Sequence, residues 1–393
     1  MPIVTKGMRK FQKRLKLAED KKRLEEVLKL KERMQANLEA LIKEERVRCF
    51  KTYIDMFQVY GSIDYDKSNL IGRGGFTKTY KTKNPGGETV AAKVIDMDKS
   101  RQEYREKFLP RQLNILVFLN EHRNEFVLQT FGIAQVRHHI FIYSEYCELG
   151  SLVHYQTANK LQHFPKDRIQ RWALQLINAI EFLHYYCIAH RNLTPDNIFV
   201  KDQDTIRVSG FGFSRFCYDA ESGTFRKSSS KREDSPFLAP EIIESETVDP
   251  KLGDIWSWGS LVYWLTTGEP VYNPKNMRKK DQKLKSFTYK MVNSERVSRF
   301  GSTLLDRLLA NVLVSDASKR IPLEAIKNNA WIQESMKAFP DGANILTPPD
   351  AHSPPAMDAS ETPDISAGQS PPESPGTPEQ QQQQEPQPDA PPA

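Results

Sequence analysis

The feature that most constrains the fold is a change of hydrophobic pattern within residues 61–334. Short apolar runs bounded by turn residues come first, for example over 90–95 and 140–143, and such runs are typical of β-strands. Longer segments with helical periodicity follow, and the apolar residues of 169–186 form one broad helical face. The sequence therefore predicts an α+β fold of two lobes, in which a small β-rich lobe precedes a larger helical lobe.

A basic segment, residues 1–57, precedes this region. Its first 50 residues carry 15 basic and 8 acidic side chains, and it is rich in the helix-forming residues Lys, Glu, Leu and Arg. Five apolar residues have the spacing of a short coiled coil, namely Leu24, Val27, Met34, Leu38 and Leu41. We expect one basic helix, which either lies on the protein's own surface or associates with a second copy or another protein.

A segment rich in Pro, Ser, Asp and Gln, residues 340–393, follows the two lobes. It carries 9 acidic and no basic side chains and has too few apolar residues to bury a core, which predicts a disordered acidic tail. Six of its serines and threonines precede proline, namely Thr347, Ser353, Thr362, Ser370, Ser374 and Thr377. These pairs indicate either proline-directed phosphorylation or only the composition of the tail.

Charge and cysteine spacing restrict the partners. The net charge is +6, but no recognisable nucleic-acid-binding motif accompanies the basic residues. The four cysteines lack the spacing of a zinc site, and no apolar run reaches transmembrane length. We therefore expect a cytoplasmic protein with protein partners and without a specific nucleic-acid or membrane partner.

A glycine-rich segment, residues 71–80, precedes a lysine that ends an apolar run. The glycines of this segment would let backbone N–H groups approach phosphates closely. Lys93 follows 19 residues after Gly74. Either feature alone is common, whereas the two together at this spacing indicate a nucleotide-phosphate site.

Two short motifs in the second lobe complete the pattern. They are His190-Arg191-Asn192, followed by Asn197, and Gly210-Phe211-Gly212. Over about 270 residues the chain resembles protein kinases, with these motifs standing where kinases carry their catalytic motifs. The segments 107–111, 210–215, 235–241 and 249–257 are similar to the testis-specific serine/threonine kinases of the calmodulin-dependent-kinase-like group. The resemblance implies a bilobal fold, ATP between the lobes and a role in late sperm development.

The resemblance also implies roles for individual residues. Those expected around the nucleotide are Gly72, Gly74, Gly75, Ala91, Lys93, Glu145, Cys147 and Asn197. Those expected to maintain the architecture are Gln112, His190, Arg191, Phe211, Glu241, Asp254 and Arg320. The candidate phosphosites of the activation segment are Thr224, Ser228, Ser229, Ser230 and Ser235. Phosphorylation would order this segment as a docking surface with Arg191 as a phosphate contact, or the segment is simply a solvated loop.

Both catalytic carboxylates of the kinase pattern are absent. Asn192 stands where an aspartate accepts the proton of the substrate hydroxyl, and loss of a general base typically costs about 10²–10⁴ in rate. Gly210 stands where an aspartate binds magnesium, which leaves Asn197 as the residual metal ligand. One amide oxygen is a poor magnesium site, so the sequence predicts no metal site here.

Further departures affect the nucleotide pocket. Gln112 replaces the glutamate that pairs with Lys93, and Thr194 replaces a lysine that steadies the transferring phosphate. Thr77 and Thr79 are expected to make the pocket stiffer or more polar.

The sequence therefore predicts a pseudokinase that acts as a scaffold or allosteric regulator in signalling. The alternative is a weak or atypical serine/threonine kinase. ATP is the candidate cofactor in both cases, and magnesium binding is disfavoured.

Overall fold

A six-stranded sheet forms the first lobe of the computed structural model, which describes residues 21, 22, 25, 28–219, 224, 225, 235–243, 249–271 and 303–339. The strands are β1 (Arg48–Phe50), β2 (Leu70–Arg73), β3 (Thr77–Lys83), β4 (Thr89–Asp96), β5 (Thr130–Val136) and β6 (His139–Glu145). Their order is β1-β5-β6-β4-β3-β2. Neighbouring strands are antiparallel, except that β1 runs parallel to β5. The predicted β-rich lobe is confirmed.

Helices cover both faces of this sheet. They are α1 (Leu38–Lys43), α2 (Tyr53–Tyr60) and α3 (Leu109–Glu121). Alternate residues of a strand point to opposite faces, so Ile142 and Tyr143 of β6 enter different hydrophobic clusters. Ile142 shares its cluster with Leu113 of α3. On the other face Tyr60 of α2 stacks on Tyr143, with ring centroids 4.8 Å apart.

The second lobe is mainly helical, as predicted. Its helices are α4 (Leu152–Ala158), α5 (Lys166–Tyr185), α6 (Pro240–Ile243), α7 (Pro250–Thr267), α8 (Thr303–Val312), α9 (Leu323–Lys327) and α10 (Ala330–Ala338). Short strands join them, namely β7 (Ile188–Ala189), β8 (Ile198–Val200), β9 (Ile206–Val208), β10 (Arg215–Phe216), β11 (Tyr218–Asp219) and β12 (Thr224–Phe225). Helix α7 is buried along most of its length and lies in the core, where Trp256 and Trp258 are fully buried.

The described part of the basic extension differs from the single helix that its composition predicts. Residues 28–33 are helical, and α1, β1 and α2 follow as separate elements. The helical path breaks because Asn37 caps the start of α1 and Glu45, with φ of 56°, reverses the chain after it. Met34 and Leu41 of the heptad-like set are buried against the protein's own first lobe. That lobe therefore includes residues before 61, and self-association of the preceding residues remains a prediction.

Two predictions fall wholly or partly outside what the structure describes. The acidic tail, residues 340–393, lies outside the described residues, as does the first part of the basic extension. Within the described residues, no helix combines the length and the apolar character that crossing a bilayer requires. The cytoplasmic location remains a prediction.

Candidate active site

A buried carboxylate holds the backbone of the catalytic loop. Asp254 of α7 accepts hydrogen bonds from the backbone N–H groups of His190 and Arg191 at 2.8 and 2.7 Å, and its carboxylate lies 2.9 Å from Nε2 of His184. Burial alone would raise the pKa of Asp254, but the hydrogen bonds that its carboxylate accepts from His184 and from the backbone of Arg191 hold it below its ordinary value. Asp254 thus anchors the loop, as the family resemblance implies.

The two motifs of the second lobe meet through their rings. The rings of His190 and Phe211 are 5.0 Å apart and edge to face. Nδ1 of His190 accepts the backbone N–H of Asn192 at 3.1 Å, so Nε2 carries the proton and donates to the carbonyl of Ser209 at 2.8 Å. The motif histidine therefore links the loop at Asn192 to the strand that leads into Gly210.

A buried ion pair closes the activation segment. The Arg320 guanidinium donates to both carboxylate oxygens of Glu241, at 2.7 and 3.0 Å, and both side chains are almost fully buried. Arg320 also donates to the carbonyl of Leu252 at 2.6 Å and lies over the ring of Trp256. The fork of the guanidinium matches the carboxylate in a bidentate geometry. The predicted architectural pair is present.

Asn197 fills the space beside Gly210. Gly210 has φ of +84°, and a Cβ added there would lie 2.3 Å from Cγ of Asn197. The Asn197 amide nitrogen donates to the carbonyl of Asn192 at 2.9 Å and to Oγ1 of Thr194 at 3.3 Å. The amide thus braces the loop and lies where a side chain at position 210 would begin. With one amide oxygen and no carboxylate, this arrangement does not fit magnesium in the way an active kinase binds it.

Lys93 and Gln112 do not pair. The Gln112 side-chain oxygen instead accepts a hydrogen bond from the Tyr104 hydroxyl at 3.3 Å. In the described part of the chain no hydrogen bond or ion pair involves the Lys93 ammonium, and burial lowers the pKa of that lysine. The ring of Phe76, from the glycine-rich segment, lies 4.5 Å from the Tyr104 ring. The expected partner of Lys93 is therefore engaged with Tyr104.

The glycine-rich segment forms a tight turn between β2 and β3. The backbone N–H of Gly74 donates to the carbonyl of Thr77 at 2.8 Å. A Cβ at Gly74 would lie 2.6 Å from Oγ1 of Thr77, whereas a Cβ at Gly75 would meet nothing within 4 Å. Gly72 pairs with Thr79 on β3. Oγ1 of Thr77 therefore lies where a side chain at position 74 would begin, and a stiffer loop remains a prediction.

Glu145 and Cys147, two of the residues expected around the nucleotide, have side chains that are engaged or buried within the protein. The Glu145 carboxylate binds Nε of Arg207 and Nζ of Lys201, each at 3.0 Å, and so joins the end of β6 to the second lobe. Cys147 is buried, and burial raises the pKa of its thiol to about 12. Sequence reasoning missed Arg207 and Lys201, because no local pattern indicates that they reach Glu145.

Three arginines gather beside the start of the activation segment. Burial lowers the pKa of the Arg111 guanidinium, and the charges of Arg215 and Arg191 lower it further. Burial also lowers the pKa of Arg191, and Arg215 acts in the same direction. The sequence analysis assigned a role only to Arg191, although Arg111 and Arg215 lie in segments that carry the family resemblance. The three guanidinium groups therefore concentrate positive charge beside β10.

Only two of the candidate phosphosites fall within the described residues. Thr224 lies on β12, which pairs with β11. The Ser235 hydroxyl oxygen accepts the backbone N–H of Phe237 at 3.4 Å. Ser228, Ser229 and Ser230 lie outside the described residues. Their phosphorylation remains a prediction.

Replacing Lys93 with methionine should raise the free energy of unfolding at pH 7, by on the order of 1 kcal/mol, because a side chain of similar length then places no charge in this partly buried position. Because the pKa of Lys93 is lowered in the folded protein, holding this lysine in its charged form reduces the free energy of unfolding. The reduction is complete below the lowered pKa. It disappears above 10.5, the ordinary pKa of lysine, where the amine is neutral in both the folded and the unfolded state. The gain should therefore shrink as the pH approaches 10.5. Chemical denaturation across this pH range measures it.

Lys78→Met is the matched control, because Lys78 is exposed on the neighbouring strand β3. We expect that variant to leave the free energy of unfolding within about 0.5 kcal/mol of the parent. A loss of stability in Lys93→Met would mean that the ammonium makes a stabilising interaction, contrary to this account.

The fold and the site together define a protein kinase domain. The model of the protein kinase domain family matches residues 65–332, so the chain belongs to the protein kinase family. The testis-specific serine/threonine-protein kinase 1 of Mus musculus is 28% identical over 276 residues, which cover 70% of this chain and 73% of that relative. The Homo sapiens protein of that name is also 28% identical, over 275 residues, which cover 70% of this chain and 72% of that relative. CBL-interacting protein kinase 26 of Oryza sativa subsp. japonica is 29% identical over 281 residues, which cover 69% of this chain and 52% of that relative.

Proposed function

We propose that this protein is a pseudokinase that acts through protein contacts rather than through phosphate transfer. The arrangement of Gly210 and Asn197 carries the proposal. The space next to the lost magnesium ligand holds an amide that braces the catalytic loop. A carboxylate cannot be reintroduced at position 210 unless that amide moves.

The state of Lys93 supports the same proposal. In kinases this lysine pairs with a glutamate and contacts the ATP phosphates. Here Gln112 is hydrogen-bonded to Tyr104, and partial burial lowers the pKa of the Lys93 ammonium. ATP is the cofactor that the kinase fold accepts in general, and we propose that any binding here depends little on magnesium.

The proposed partners are proteins, among them an active kinase or its substrates. The arginine cluster of Arg111, Arg191 and Arg215 supports a contact with a phosphorylated activation segment. The similarity to testis-specific kinases supports a role in sperm development. Architecture maintained by Asp254 and by the Glu241–Arg320 pair suits a scaffold, because the surfaces of the second lobe are held in place without catalysis.

The alternative is a weak or atypical serine/threonine kinase. The retained Lys93 and Asn197 favour it, as do the serine/threonine kinases among the relatives. Positioning alone can supply much of the catalysis of phosphate transfer. This alternative predicts that Asn192→Asp together with Gly210→Asp raises phosphate transfer sharply.

Phosphate transfer from ATP by the full chain should equal that of its Lys93→Ala variant, with either magnesium or manganese present. The reason is that the base at position 192 and the metal ligand at position 210 are both missing. Incorporation of labelled phosphate into the protein itself and into a general protein substrate measures it. Transfer that disappears in Lys93→Ala would contradict the proposal.

The Asn192→Asp/Gly210→Asp variant separates the two functions. If the protein is a pseudokinase, phosphate transfer by this variant should stay at the level of Lys93→Ala. The reason is that Gln112 and Thr194 still stand in place of the charged residues that organise the phosphates. A gain of about 10² or more in this variant would favour the alternative.

A further inference from the structure

Helix α3, which carries Gln112, packs against the N-terminal extension. Met34, Leu41 and Val47 of the extension are buried in the same hydrophobic cluster as Leu109 and Leu113 of α3. Leu41 and Val47 are completely inaccessible to solvent. This contact is part of the core of the first lobe, because it removes apolar surface of both segments from water.

Polar contacts fix the register of the extension along the helix. Asn114 of α3 is 3% exposed, and its amide nitrogen donates to the carbonyl of Ala36 at 2.7 Å and to that of Pro110 at 2.9 Å. Near the last turn of α3, Arg33 donates to both carboxylate oxygens of Glu121 at 2.7 Å. The first contact is buried and therefore specific in geometry, whereas the second is at the surface and contributes less.

Other residues at the start of α3 contact the nucleotide site. Gln112 binds the Tyr104 hydroxyl, and the Tyr104 ring packs on Phe76 of the glycine-rich segment. The ring of Phe108, just before the helix, lies 6.3 Å from that of Phe213, which follows Gly210-Phe211-Gly212. The helix therefore lies between the extension and the site. Tyr104 and Phe108 bound a π-helical turn, an irregular element that is frequent at functional positions.

We propose that residues 28–47 act as an intramolecular clamp that sets the position of α3 and, through Tyr104 and Phe76, the conformation of the glycine-rich segment. The clamp is a regulatory site, because a partner that displaces residues 28–47 changes the affinity of the nucleotide pocket for its ligand. A ligand in the pocket changes the equilibrium between bound and displaced clamp by the same factor. The geometry that carries this proposal does not depend on whether the site transfers phosphate.

Hydrogen exchange of the full chain tests the clamp. In the Met34→Asp/Leu41→Asp variant, the backbone amides of 109–121 should exchange at least about tenfold faster than in the parent. A tenfold change corresponds to 1.4 kcal/mol in the free energy of local opening, and placing charges at two buried positions costs more than that. Amides of 72–80 should also exchange faster. Those of α7, in the other lobe, should not change. Leu28→Asp is the matched control, because Leu28 lies in the helical segment 28–33 just before Met34 and is 38% exposed. It should leave all three regions unchanged.

Two results would overturn the clamp. In the first, residues 28–47 lose protection but the amides of 109–121 exchange at an unchanged rate. In the second, the amides of 109–121 exchange faster but those of 72–80 do not change. If the double variant also exposes α7, and so unfolds as a whole, Leu41→Ala takes its place. This milder variant leaves a cavity at a fully buried contact with the first lobe, so amides of 109–121 and of 72–80 should exchange at least about tenfold faster without a change in α7. Unchanged exchange of 109–121 or of 72–80 in Leu41→Ala would overturn the clamp.

Discussion

Replacing Arg320 with methionine is expected to lower the free energy of unfolding by about 3–5 kcal/mol, because removal of one partner leaves the other charge buried and unpaired. The Glu241 carboxylate is 1% exposed, and the Arg320 guanidinium supplies both of its ion-pair contacts. The carbonyls of Leu252 and Val314 would lose a donor as well. Denaturant unfolding of the full chain, followed by tryptophan fluorescence, measures the change.

The neighbouring residue provides the control. Lys319 pairs with Asp316, but its side chain is 77% exposed, so Lys319→Met should change the free energy of unfolding by less than about 0.5 kcal/mol. Arg320→Met combined with Glu241→Leu should cost less than Arg320→Met alone, because no charge is then stranded. A cost below about 1 kcal/mol for Arg320→Met would show that water reaches Glu241 and that the pair is not a buried anchor.

Gly210→Ala is expected to lower the free energy of unfolding by about 1–3 kcal/mol, from the backbone conformation together with overpacking. The residue has φ of +84°, and the new Cβ would meet the Asn197 amide at 2.3 Å. Moving Asn197 away would break its hydrogen bond to the Asn192 carbonyl. The same denaturant unfolding measures the loss.

Gly75→Ala is the matched control for this substitution. Gly75 lies in the glycine-rich segment with an ordinary φ, and a Cβ there meets nothing within 4 Å. We expect a change of less than about 0.5 kcal/mol. Equal effects in the two variants would mean that Asn197 moves aside freely, and the main structural support for the pseudokinase proposal would be lost.

Residues whose role depends on short motifs were predictable from the sequence. Asp254 and the Glu241–Arg320 pair lie where the kinase pattern places them, and the structure gives each the expected contact. His190 and Phe211 also meet as the resemblance implies. These contacts join elements whose order and packing are set by the fold, so identifying the fold is enough to predict them.

Contacts that depend on side-chain direction were not predictable. Gln112 lies on the expected helix, but its amide bonds to Tyr104, because an uncharged side chain has no strong preference for a lysine over a nearby hydroxyl. Glu145 was expected beside the nucleotide, yet Arg207 and Lys201 bind its carboxylate. In both cases several partners of suitable chemistry were available, and only the packing selected one.

The two-lobed α+β fold and the kinase family could be predicted from the sequence, because hydrophobic periodicity and motif spacing are properties of the linear chain. The sequence also shows directly that positions 192 and 210 carry no carboxylate. Tertiary structure alone decided that residues 28–60 break into separate elements on the first lobe and that Asn197 occupies the space beside Gly210. These two features depend on which surfaces and which volumes are available once the lobes have folded. The order of residues along the chain does not specify those volumes.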